Sequence, residues 1–87
     1  MEITRSKIGI TELASGSKAI VVGYNTVYGG YIGKLVKKGL IVGKVLTIVE
    51  LNSVEKTVKI IIDGQPVTLR KPEAEALYVK LLENDEN

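Results

Sequence analysis

The amino-acid sequence predicts a mainly β domain: a small, at least partly closed barrel of about five short strands with one short helix. Three observations predict it. Core-forming residues are Val, Ile and Leu, with no Phe and no Trp in 87 residues, and β-branched side chains suit a pleated, half-buried surface. Turn signals recur at short intervals, at Gly43, Asn52-Ser53 and Asp63-Gly64. Only one segment, Tyr28 to Lys38, carries apolar residues at helical spacing.

The elements follow in order. Thr11 to Gly16 reads as a short turn or helical turn, capped by Thr11 and ended by Gly16. Ser17 to Tyr24 is a strand closed by Gly23 and Asn25. In the helix, Tyr28, Ile32, Leu35 and Val36 form the apolar stripe, and Lys34, Lys37 and Lys38 lie mainly off it. Gly29, Gly30 and Gly33 weaken its first half, so regular helix is expected from about Tyr31. Gly39 sits where a left-handed residue stops a helix, and Leu40 folds back on it. After a turn at Gly43, Lys44 to Leu51 is a strand with apolar residues on both faces, and Asn52 to Lys56 is the next turn. Thr57 to Ile62 and Gln65 to Arg70 form a hairpin around Asp63-Gly64, which suits a turn needing positive φ at both central residues. Pro66 must avoid donating to a ladder. Lys71 to Leu77 starts as a helical turn with Pro72 near its first position, and Tyr78 to Leu82 is the last strand.

One domain is expected over residues 1–82, because two cores would leave neither half enough buried area. Residues 83–87, with three acids and no base, read as a frayed acidic tail. Neither a signal peptide nor an apolar run of membrane-spanning length is visible, so a soluble, cytoplasmic protein is the expectation.

Histidine and cysteine are both absent. That removes the imidazole base a Ser or Cys nucleophile needs, the disulfide framework, and the usual ligands for iron or zinc. Glu12, Glu50, Glu55, Asp63, Glu73 and Glu75 fall mostly in turns or exposed ends and read as solvated acids. The run Gly29 to Lys34 has only three residues between Gly29 and Gly33, and Leu35 stands where a phosphate-binding loop needs Ser or Thr. No enzyme, no cofactor and no metal site is expected.

Three stretches resemble one family. Leu13 and Gly16 open the first; Leu35-Val36-Lys37-Lys38-Gly39-Leu40, then Ile41-Val42-Gly43, form the second; Leu69-Arg70-Lys71-Pro72-Glu73-Ala74, then Leu77 and Val79, form the third. In order and spacing the chain resembles the FeoA family from about Thr11 to Lys80. These are small proteins with an SH3-like barrel that assist the ferrous-iron permease FeoB. Val42 stands where a Pro is common, the hairpin near Ser53 lacks the family's usual Pro-Gly-Asp, and the helix carries Lys rather than Arg. The resemblance implies a non-enzymatic accessory role in ferrous iron transport, bound to a FeoB-type permease at the inner face of the membrane. Related domains end metal-dependent repressors of the diphtheria-toxin-repressor type. No helix-turn-helix precedes this one in the 87 residues, so that architecture is not expected.

No acidic residue occurs from Leu13 through Val49, where five lysines fall. This stretch is either an ordinary wet surface or a face for an acidic partner. Lys34, Lys37 and Lys38 are its candidate docking cations. Tyr28 and Tyr31 are either helix-face packing or interface anchors, and Arg70 is either an ion-pair partner of Glu73 or Glu75 or a docking residue. Gly16, Gly39 and Gly43 read as structural. Two other functions compete: a single-stranded nucleic-acid binder, stacking bases on tyrosines, and a transition-metal sensing module, for which ligands are lacking.

Overall fold

In the computed structural model, which describes residues 8–82, six antiparallel strands form one sheet. They are β1 (Ile8–Gly9), β2 (Lys18–Tyr24), β3 (Val45–Asn52), β4 (Thr57–Ile62), β5 (Gln65–Arg70) and β6 (Leu77–Leu82). Helices α1 (Ile32–Lys37) and α2 (Lys71–Glu75) precede β3 and β6, and 3-10 turns cover Ile10–Glu12 and Thr26–Tyr31. The expected tail at 83–87 lies outside the described residues.

Sheet order is β1-β6-β2-β3-β4-β5. The unexpected sixth strand, β1, is two residues long and pairs Ile8 with Val79 and Gly9 with Tyr78. Such a segment is too short to show alternation. Among the described residues no ladder joins β5 to β1, so the barrel is incompletely closed. Helix α2 packs against β4, β5, β6 and the Ile10–Glu12 turn. Pro66 lies on β5, an edge strand, where its missing N–H costs no ladder bond.

Two bulges curl the sheet and decide which side chains enter the core. In β2 the register steps from Val21–Val79 to Gly23–Tyr78, leaving Val22 as the extra residue. The step reverses the alternation, so Tyr24 joins Ala19 and Val21 on the inner face and packs against the core. In β3 the step falls between Ile48–Ile60 and Glu50–Lys59, with Val49 extra. Strict alternation from Leu46 and Ile48 would have pointed Glu50 inward. The bulge instead sets Glu50 outside, with Lys59 3.9 Å away, and brings Leu51 opposite buried Val58. This accounts for the apolar residues on both apparent faces of that strand.

The core is aliphatic, with Ile10, Leu35, Leu40, Leu46, Ile48, Ile60, Leu69 and Leu77 fully buried. Tyr24, Tyr28 and Tyr31 are partly buried against it. Helix α1 is shorter than its periodicity predicts. Tyr28 has non-helical φ −108° and ψ 39°, so the glycine-rich stretch winds as a 3-10 turn and α-helix begins only at Ile32. Its end is a Schellman motif: Gly39 has φ +92°, its N–H donates to the Val36 carbonyl at 3.0 Å, and that of Leu40 donates to Leu35 at 2.9 Å. The β4–β5 hairpin turns through Asp63 and Gly64 with φ of 56° and 75°. Gly16 and Gly43 also have positive φ.

Candidate docking surface

Lys38 follows the last residue of α1, where its ammonium favours the negative end of the helix dipole. It does not point to solvent as a free cation. Its Nζ donates to Glu73 Oε1 at 2.9 Å and to the Thr68 carbonyl at 3.1 Å. Glu73 is the one buried charged residue among those described, correcting its reading as a solvated acid. Its Oε1 also accepts the Arg70 N–H at 3.1 Å, so the carboxylate caps α2 and anchors α1 to it. Burial alone would raise the Glu73 carboxyl. The hydrogen bonds from Lys38 and Arg70, with the charges of Lys38 and Lys34, outweigh it and hold the carboxyl below its ordinary range.

Arg70 meets Glu73 through its backbone rather than by an ion pair, and its side chain is exposed. Tyr28 is half-buried; the Glu75 carboxylate, by hydrogen bond and by charge, raises its hydroxyl pKa. Tyr31 precedes Ile32, and the Lys34 ammonium lies 5.5 Å from its ring centroid, in cation–π range. Lys34 and Lys37 are exposed, and among the described residues neither forms an ion pair. Lys44, by contrast, pairs with Asp63 at 2.8 Å.

The same stretch of chain exposes aliphatic side chains that periodicity placed elsewhere or ignored. Val36, assigned to the buried stripe, is 45% exposed, and Ile41 and Val42, just past the Schellman turn, are 43% and 60% exposed. With only six residues in α1, Leu35 carries the burial and Val36 falls outside it. Gly39 turns the chain so that Ile41 returns beside the helix end, its N–H bonded to the Gly39 carbonyl at 3.0 Å. This stretch therefore exposes three aliphatic side chains and two lysines that form no ion pair among the described residues, with Tyr31 partly buried against the core. Tyr24, also missed, is held inward by donating its hydroxyl to the Leu40 carbonyl at 2.7 Å. Among the described residues no three acids gather into a metal-binding group.

A family model for the FeoA domain matches residues 8–81. The chain belongs to the FeoA family. A crystal structure of an iron uptake regulatory protein (FeoA) superposes with TM-score 0.77 at 25% identity, over 87% of this chain and 99% of that one. A solution structure of a FeoA-like protein from Clostridium acetobutylicum gives 0.82 at 23% identity, over 97% and 96%. A manganese-dependent transcriptional repressor gives 0.82 at 18% identity, over 92% of this chain and 39% of the repressor, a likeness of fold alone. None of the curated proteins matches this chain. FeoA membership implies a role in ferrous iron transport, in a family of small accessory domains with the SH3-like fold seen here. Among the described residues no helix is long and apolar enough to cross a membrane.

Proposed function

We propose that this FeoA-family domain is a non-enzymatic, cytoplasmic accessory protein that docks on a FeoB-type ferrous iron permease through the outer side of α1. Lys34 and Lys37 steer an acidic partner surface, and Val36, Ile41 and Val42 form the contact that excludes water, with Tyr31 and Arg70 at the margin. One observation carries the reading: α1 and the turn after it expose Val36, Ile41 and Val42 together with two lysines that form no ion pair among the described residues, and the end of α1 is fastened by Lys38 to Glu73. A rigid platform of this kind loses little entropy on binding. Lys38 serves as the fastener rather than as a contact. The tyrosine rings are partly buried against the core, which disfavours base stacking and hence the nucleic-acid reading.

The test is a binding titration of the whole chain against the permease's soluble GTPase domain and, separately, its membrane core. Saturable binding to one of them, weakened by added salt, is expected. Absence of binding to both would overturn the reading.

A further inference from the structure

A cavity of about 260 Å³ opens where the β3–β4 hairpin meets the start of α2. Its apolar part is the cross-strand pair Leu51–Val58, the pair that the Val49 bulge brings to one face. Lys56 and Lys71 line it together with Thr11, Asn52, Ser53 and Thr57, and among the described residues no acid lines it. The two lysines are tied backbone to backbone, the Lys71 N–H donating to the Lys56 carbonyl at 3.0 Å. Lys71 lies 4.0 Å from Glu75, at the limit of an ion pair, and Lys56 pairs with no acid among the described residues.

Lys56 has a second peculiarity. Its φ is +58°, a left-handed conformation that glycine or asparagine adopts at far lower cost. A lysine here disfavours the turn, and it lines the cavity that Leu51 and Val58 share. Strained backbone that brings a charged side chain to a cavity is the pattern of a binding site rather than of a turn chosen for stability.

We infer that this cavity binds a small amphipathic carboxylate, its anionic end between Lys56 and Lys71 and its hydrocarbon against Leu51 and Val58. Both halves of the chemistry are needed. The lysines supply charge-assisted hydrogen bonds, and the aliphatic pair removes apolar surface from water. The inference does not depend on the permease.

The probe is hexanoate, titrated into the isotope-labelled full chain and followed by amide chemical shifts, with hexanol and inorganic phosphate as controls. Saturating shifts at Leu51, Lys56, Thr57 and Lys71 are expected with hexanoate, and binding at least about tenfold weaker with hexanol, which lacks the charge-assisted hydrogen bonds, and with phosphate, which lacks the hydrocarbon buried on Leu51 and Val58. Lys56→Gly should weaken hexanoate about tenfold while raising the melting temperature, and Lys71→Gln should weaken it similarly. Shifts scattered over the other lysines, equal binding of hexanol, or unaltered binding by Lys56→Gly would overturn the inference. A lowered melting temperature for Lys56→Gly would overturn the argument from strain.

Discussion

Lys38 and Glu73, 35 positions apart in sequence, meet at 2.9 Å and join the end of α1 to the first turn of α2. Glu73 retains only 8% side-chain exposure, whereas Lys38 keeps 33%. The carboxylate is thus the partner that depends on the bond. Removing the ammonium leaves a buried charge with one backbone donor.

Lys38→Met should therefore destabilise the domain by about 1–3 kcal/mol, the range for a lost hydrogen bond to a buried charged group. Lys37→Met, in the same turn but exposed, should stay within about 0.5 kcal/mol. Urea denaturation of the two variants makes the comparison.

The depressed Glu73 carboxyl gives a signed pH dependence. Its contribution to stability is fully present above its ordinary pKa of 4.5 and is lost as pH falls through the lower folded value. Glu73→Gln should flatten this part of the acid limb of the stability profile, because glutamine has no charge to lose. An acid limb of unchanged slope would show that other carboxylates govern it.

Gly39→Ala and Gly39→Val should each cost about 1–2 kcal/mol, the penalty of left-handed backbone for a residue with Cβ. Beyond its chain neighbours no atom lies within 4 Å of a Cβ built there, so for alanine the cost is one of conformation and not of crowding. Thermal melts that left either variant unchanged would place the helix stop elsewhere.

Tyr24→Phe keeps the ring and removes the hydroxyl that the Leu40 carbonyl accepts at 2.7 Å. A loss of about 0.5–1.5 kcal/mol is expected, with amide shifts concentrated near Leu40.

How far the sequence could be read depends on whether a feature is local. Asp63-Gly64 and Gly39-Leu40 declare their turns through residue types suited to positive φ, and the structure has them at those positions. The start of α1 was nearly legible because Gly29 and Gly30 weaken helix where the 3-10 turn is found. The bulges at Val22 and Val49 were not, since a bulge is a relation between a strand and its neighbour's register. Burial of Glu73 was equally hidden: only folding brings Lys38 to it, although Arg70 and Glu73 already had capping-box spacing. For the same reason one of three candidate lysines proved committed to the fold. The exposure of Val36 was hidden because the helical stripe is cut short in α1, and Ile41 and Val42 lie past the Gly39 stop, outside any periodic stretch.

The most direct test of the docking surface is the Lys34→Glu/Lys37→Glu double variant, compared with the parent for melting temperature and for affinity to the permease part that binds. Both lysines are exposed, so Lys37→Glu should change stability by less than about 0.5 kcal/mol, and Lys34→Glu, which also loses the contact with Tyr31, by about 1 kcal/mol at most. Affinity should fall by about tenfold or more, with a shallower salt dependence, because steering cations become repelling anions. A folded double variant that binds with the parental affinity would contradict the account.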